Sequence, residues 1–296
     1  MSNELTPLEI LKKVKKIEIS VRGYVHELFS GEYHSVFKGQ GMEFAEVREY
    51  SPGDDIRAID WNVTARMNHP YIKQFNEERE LSVFILFDAS MSQHFGTKGN
   101  LKKNMGIELA GVLASAALLN NDKVGMILFT DKVEKLVAVR KGKKHIFRLI
   151  RDLVAFEPEH RRTSIREALE YTHKLLKKKS TIFLISDFWD SDFEAPLKIL
   201  SRKHDVVGVH ILDPFETQIP KDQLLKLVDP ETGRGFIVDT YDEANYKAIY
   251  EYINKHHQYI SGIFNKSKID RILLKTDEDF VVPLIRFFKS REKRFH

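Results

Sequence analysis

From residue 81 onward the chain alternates between short unbroken apolar runs and longer stretches where apolar residues recur every three or four positions. Leu81-Ser82-Val83-Phe84-Ile85-Leu86-Phe87 and Thr181-Ile182-Phe183-Leu184-Ile185-Ser186 are runs of the first kind. Such runs are too short for buried helices and predict strands covered on both faces. The same reading predicts strands at 124–130, 133–139, 205–212, 235–239 and 270–275. Helical spacing predicts helices from Asn100 to about 120, near 142–155, from Ser164 to about 177, and at roughly 193–203, 242–262 and 278–290. Asp131-Lys132 is too short a link for a crossover, so the strands either side of it form an antiparallel pair. The alternation predicts an α/β fold: a doubly wound, mostly parallel sheet with helices on both faces and one antiparallel edge strand.

Before residue 81 the pattern is less regular. Thr6, Pro7 and Glu9 fit an N-cap, a first-turn proline and a capping-box glutamate. Leu8, Leu11, Val14 and Ile17 then recur at helical spacing, with Lys12, Lys13, Lys15 and Lys16 mostly on the other side. That helix could lie on a membrane surface, but a solvated face is the simpler reading. Gly31, Gly39, Gly41 and Gly53 punctuate the segments after it, Ser51-Pro52-Gly53-Asp54 suits a type II turn, and 72–75 suits an edge strand. The expected organisation is an N-terminal helix and irregular module at 1–79, the α/β domain at 80–290 and a basic tail at 291–296.

Composition narrows the function classes. A chain of 296 residues, 42% hydrophobic and 30% charged, can bury a full core. Its net charge of +4 does not compel nucleic-acid binding. The absence of cysteine excludes disulfides, thiolate nucleophiles and cysteine-based zinc sites. No apolar run reaches the ~20 residues of a membrane span, and Met1-Ser2-Asn3-Glu4 does not start like a signal peptide. A cytoplasmic location is expected.

The candidate chemistry sits where strands end. Asp88-Ala89-Ser90-Met91-Ser92 follows one buried run, Asp187 follows another, and Thr163 stands at the start of a helix. In open parallel sheets ligands bind beyond the carboxyl ends of strands, where the strand order reverses. If the two strands are neighbours there, Asp88, Ser90, Ser92, Thr163 and Asp187 form an all-oxygen set. Such a set suits a hard divalent cation: Mg²⁺ first, with Mn²⁺ or Ca²⁺ as the other candidates. These groups would leave one position open to water or to an acidic group of a partner. The plainer alternative is that the hydroxyls cap helices and the acids solvate loops.

This constellation resembles the metal-ion-dependent adhesion site of von Willebrand factor A domains. Asp88, Ser90 and Ser92 take its Asp-x-Ser-x-Ser positions, Thr163 its loop threonine, and Asp187 its acid after the fourth strand. The usual Gly-Gly before the threonine is Arg161-Arg162 here. A narrower resemblance rests on Gly39-Gln40-Gly41-Met42-Glu43-Phe44, Arg48-Glu49-Tyr50, Pro52-Gly53-Asp54-Asp55, Arg57, Ile59-Asp60-Trp61 and Ala65-Arg66. These segments are similar to a bacterial A-domain family of unknown function, often encoded beside MoxR-type AAA+ ATPases. The resemblance implies a non-catalytic, metal-dependent adaptor that works with such an ATPase in assembling or maturing other proteins. An unknown client would offer a carboxylate to the metal.

Other residues have two roles open to them. Arg48, Arg57 and Arg66 could face a partner, or pair internally with Glu49, Asp54, Asp55 and Asp60. Trp61 is expected to anchor a core. His94 lies close to the proposed metal, though solvation is its simpler role, and Asp190 and Asp192 extend the acidic loop after Asp187. There is no dinucleotide fingerprint and no phosphate-binding loop, so ATPase activity would belong to the partner. One rival is a Mg²⁺-dependent phosphatase of haloacid dehalogenase type, which needs a second aspartate where Ser90 stands. Another is a basic nucleic-acid-binding protein, for which no aromatic-interleaved basic motif is present.

Overall fold

The computed structural model describes residues 43–67, 69–76, 82–97 and 101–295, and otherwise only the helical positions Glu9, Lys12, Lys15 and Gly23. The predicted first helix otherwise lies outside the described residues, as do Gly39 to Met42 and Asn100. The chain divides into a small unit, 37–81, and a large one formed by 1–36 and 82–296.

In the small unit β1 (Glu43–Glu49) pairs antiparallel with β2 (Tyr71–Asn76). The turn at 51–54 closes with Asp54 N donating to Ser51 O at 3.0 Å. Gly53 sits at φ 111°, which a type II turn requires at that position. Arg48 grips Asp54 with two parallel bonds of 2.8 and 2.7 Å, so its guanidinium serves an internal pair. Arg57 and Arg66 are exposed. Asp60 caps α1 (Trp61–Met67) through Asn62 N at 2.9 Å. Trp61 is 67% exposed, which corrects the expectation of a core anchor. Val63 and Thr64 are the half-buried positions of that helix.

The large unit is built on a six-stranded sheet of order β10-β7-β6-β3-β4-β5. Its members are β3 (Ser82–Asp88), β4 (Lys123–Phe129), β5 (Val133–Arg140), β6 (Thr181–Ser186), β7 (Asp205–Leu212) and β10 (Asp270–Lys275). All pairings are parallel except β4 with β5, the expected antiparallel edge. The helices are α2 (Lys102–Leu119), α3 (Lys143–Val154), α4 (Ile165–Leu175), α5 (Glu194–Ser201), α6 (Glu243–Ser267) and α7 (Val281–Phe295). Phe84 and Leu86 of β3 face Ile165 and Leu169 of α4, Leu197 of α5 and Phe264 of α6 in one core layer. The alternate residue Phe87 faces α2, where Gly106 lets the helix approach until an added Cβ would lie 2.9 Å from the ring. The helices therefore cover both faces.

Gly208 of β7 shows how tightly the first layer is packed. A Cβ there would meet the Phe264 ring at 2.3 Å. Gly208→Ala is expected to lower stability by about 1–3 kcal/mol, read from urea denaturation. Gly208→Ala combined with Phe264→Leu should lose less than the two single changes summed.

Two further elements matter for the site. After β7 the chain forms a separate hairpin, β8 (Leu224–Val228) antiparallel to β9 (Gly235–Asp239). Most of its residues are half-buried or exposed. Arg291 of α7 is buried and bonds Asp205 at 2.6 and 2.8 Å and Asp270 at 2.7 Å. The chain end expected as a charged tail thus begins with a residue tied to two strand starts.

Candidate metal centre

The sheet order puts a switch point between β3 and β6. The crossover from β3 through α2 goes to β4 on one side, and β6 returns on the other. Loops leaving the carboxyl ends of β3 and β6 therefore part and open a crevice. Phe87 lies opposite Ile185, so Asp88 and Ser186 emerge side by side. Ser186 Oγ donates to Asp88 Oδ2 at 2.6 Å, and Asp187 is the next residue.

After β3 the chain turns sharply. Ser90 N donates to Asp88 Oδ1 at 3.0 Å, and a 3₁₀ turn, Met91–His94, follows. Ser90 holds the N-cap position of that turn, yet its side chain makes no capping bond. Its hydroxyl instead shares a 2.9 Å hydrogen bond with that of Ser92, and both residues are buried. Thr163 comes from the loop before α4. That loop is tied to the Asp88 loop by Met91 N on Arg161 O at 3.0 Å. It is tied to the Asp187 loop by Ile165 N on Asp190 Oδ2 at 2.7 Å. Ser164, not Thr163, caps α4, through Glu167 N at 3.3 Å. The Thr163 hydroxyl donates to Glu231 Oε1 at 2.6 Å, a contact from the hairpin between β8 and β9.

The electrostatics are those of a buried acidic site with incomplete compensation. Burial, reinforced by Asp187, pushes the Asp88 carboxyl up to about 7, against the hydrogen bonds from Ser186 and Ser90. Lys102, 1% exposed, donates to Asp187 Oδ2 at 2.9 Å and to Glu216 Oε1 at 2.5 Å. Burial disfavours its ammonium, but the two carboxylates more than offset this and raise its pKa. Lys102 is also the first residue of α2, where the helix dipole disfavours a cation. Glu216 is raised by burial, against the pull of Lys102, and accepts a further bond from Trp189 Nε1 at 3.1 Å. The Trp189 ring stacks on His256, centroids 3.8 Å apart and planes within 5°.

Asp88, Ser90, Ser92 and Asp187 thus stand at one end of the sheet, and the Thr163 loop is fastened there. Among the described residues no three His, Asp or Glu side chains form a metal-holding group, so any cation would depend on the hydroxyls. Asp190 caps α4 from the Asp187 loop rather than only facing solvent. His94 contacts Lys103 Nζ at 3.4 Å, and burial and that lysine lower its pKa. The sequence reading did not find Lys102, Glu216 or Glu231. A lysine opening a helix against its dipole, just after an acid-bearing loop, was the one available signal.

A family model described as "Protein of unknown function DUF58" matches residues 46–259. Uncharacterized proteins of Mycobacterium bovis and Mycobacterium tuberculosis are 25% identical over 285 residues, 95% of this chain and 89% of their own length. The solved structure of a conserved hypothetical protein BatB from Bacteroides thetaiotaomicron is similar over 72% of this chain and 99% of its own. Its TM-score is 0.46, at 13% identity. An aerotolerance-related membrane protein from Bacteroides fragilis gives 0.45 at 14% identity over the same shares. No helix among the described residues is long and apolar enough to cross a membrane.

Proposed function

This chain belongs to the DUF58 family, and we propose from its site that it is a non-catalytic, cation-dependent protein-binding adaptor. Asp88, Ser90 and Ser92 would hold a divalent cation, Mg²⁺ first, with Thr163 and Asp187 beside them. The donor set is all oxygen, as a hard cation prefers. One observation carries the reading. The Asp88 carboxylate is fully buried, has only neutral hydrogen-bond donors on its oxygens, and forms no ion pair among the described residues. A buried carboxylate without counter-charge is costly, and a cation in front of it would offset that cost. Lys102 neutralises Asp187 and Glu216 instead.

The plainer reading of the hydroxyls as helix caps is disfavoured by the same geometry. Ser90 makes no cap bond, and Thr163 leaves capping to Ser164. When bound, the cation would supply a positive, Lewis-acidic point open to a carboxylate from a partner. The resemblance to A-domain adaptors supplies the partner class: a MoxR-type AAA+ ATPase, with a client protein offering the acid. A phosphatase is disfavoured because Ser90 occupies the place of the general acid, and a hydroxyl does not serve there at neutral pH.

The test is capture of a MoxR-type ATPase by the full chain, in Mg²⁺ and in chelator. Capture should require Mg²⁺ and fall at least roughly tenfold in Asp88→Ala, with far-ultraviolet circular dichroism unchanged. Undiminished capture by Asp88→Ala, or in excess chelator, overturns the proposal. Sustained phosphate-ester turnover abolished by Asp88→Asn would favour the enzyme.

A further inference from the structure

The hairpin between β8 and β9 presents Glu231 from a preformed turn. Asp229 organises it: its Oδ1 accepts from Glu231 N at 2.9 Å and Thr232 N at 3.3 Å, and its Oδ2 from Thr232 Oγ1 at 2.6 Å. Gly233 N closes on Asp229 O at 2.8 Å, with Gly233 at φ 71°, a conformation that suits glycine. The turn is therefore stiff, and its position fixes where Glu231 reaches. The carboxylate reaches Thr163 Oγ1, on a side chain of the candidate centre.

The surroundings of Glu231 are unfavourable for an acid. It is partly buried, and Asp187, Asp229 and Asp190 stand close enough to act on it with like charge. A rigid turn that delivers a carboxylate into such company creates a demand for positive charge. The ribbon itself is lightly held. It forms its own two-stranded sheet, separate from the six-stranded one, and such a ribbon has little independent stability. Leu224, Val228, Phe236 and Ile237 are more than half exposed along it.

We propose that Glu231 is this chain's own carboxylate ligand for the cation, so that the hairpin closes the centre and a partner's acid must displace it. This rests on the cation reading of Asp88, Ser90 and Ser92. The consequence is a guarded surface. Cation binding and hairpin closure support each other, and only a partner that supplies both an acid and contacts for the released ribbon gains access.

Mn²⁺ titration of the full chain, followed by water-proton relaxation, tests this. The relaxation signal reports both affinity and the water left on the bound ion. Glu231→Gln keeps an oxygen for Thr163 to donate to, so its fold should be intact. In that variant Mn²⁺ affinity is expected to fall roughly tenfold or more. Relaxation per bound ion should rise, because water replaces the carboxylate. Acetate, the probe for a partner's acid, should lower that signal in Glu231→Gln and leave the wild-type signal unchanged. Equal affinity and equal relaxation in wild type and Glu231→Gln would overturn the role of Glu231 while leaving the cation centre standing. Wild-type binding no better than that of Asp88→Ala would remove the cation reading, and this inference with it.

Discussion

Replacing Lys102 by methionine is expected to destabilise the fold by about 3–5 kcal/mol, the range for breaking a buried ion pair from one side. The Lys102 side chain is 1% exposed, Asp187 is fully buried and Glu216 is 12% exposed. Methionine keeps the packing of the stem but removes the ammonium that both carboxylates use. Two buried carboxylates would then face each other without a donor between them. Some of the loss returns if one takes up a proton, so the deficit should shrink as pH falls. Lys102→Met with Glu216→Gln should recover part of it, because one carboxylate fewer is stranded; a double-mutant cycle in urea isolates the coupling. The variant also separates two roles for positive charge. If a divalent cation binds beside Asp187, Mg²⁺ should stabilise Lys102→Met more than it stabilises wild type. A loss below about 1 kcal/mol would show that the ammonium is not compensating these acids.

The features legible in the sequence are those encoded by local contacts. Strands buried on both faces appear as continuous apolar runs, so 181–186 and 205–212 coincide with β6 and β7. β8 lacks that signature. Leu224-Leu225-Lys226-Leu227-Val228 is a short ribbon strand outside the main sheet, and only its pairing with β9 defines it. Helix ends set by tertiary contacts were also not visible. α6 runs to Ser267 and stops at Lys268 in the left-handed region, φ 53°, where glycine would have been the legible signal. The acids of the centre were legible because Asp88 ends one buried strand and Asp187 immediately follows another. Their partners were not: Lys102 is 85 residues from Asp187 and 114 from Glu216, and Thr163 is 68 from Glu231. No local pattern encodes such pairings, and only the sheet order brings them together.

In protein free of metal, raising the pH from about 6 to about 8 should lower the melting midpoint of wild type relative to that of Asp88→Asn, and a divalent cation should restore the difference mainly at the higher pH. Burial, with Asp187 adding repulsion, pushes the Asp88 carboxyl up to about 7, against about 3.9 in an unfolded chain. Between those values the folded protein holds a proton that the unfolded chain has lost. The Asp88 contribution to stability therefore falls as pH rises through this window and levels off above about 7. Lys102 does not reverse the trend, because its pKa is raised and its charge is already committed to Asp187 and Glu216. Glu216 and Glu231 are also raised by burial and act in the same direction, whereas His94, His204, His210 and His256 are lowered by burial and add stability as pH rises. The contribution of Asp88 is therefore isolated as the difference between wild type and Asp88→Asn, whose midpoint should not respond to the ion. A cation needs the ionised carboxylate, so below about pH 7 its apparent affinity should fall by up to roughly tenfold per unit as it competes with the proton. A wild-type midpoint that does not fall relative to that of Asp88→Asn between about pH 6 and about pH 8 without metal would contradict the buried, uncompensated Asp88 on which the cation reading stands.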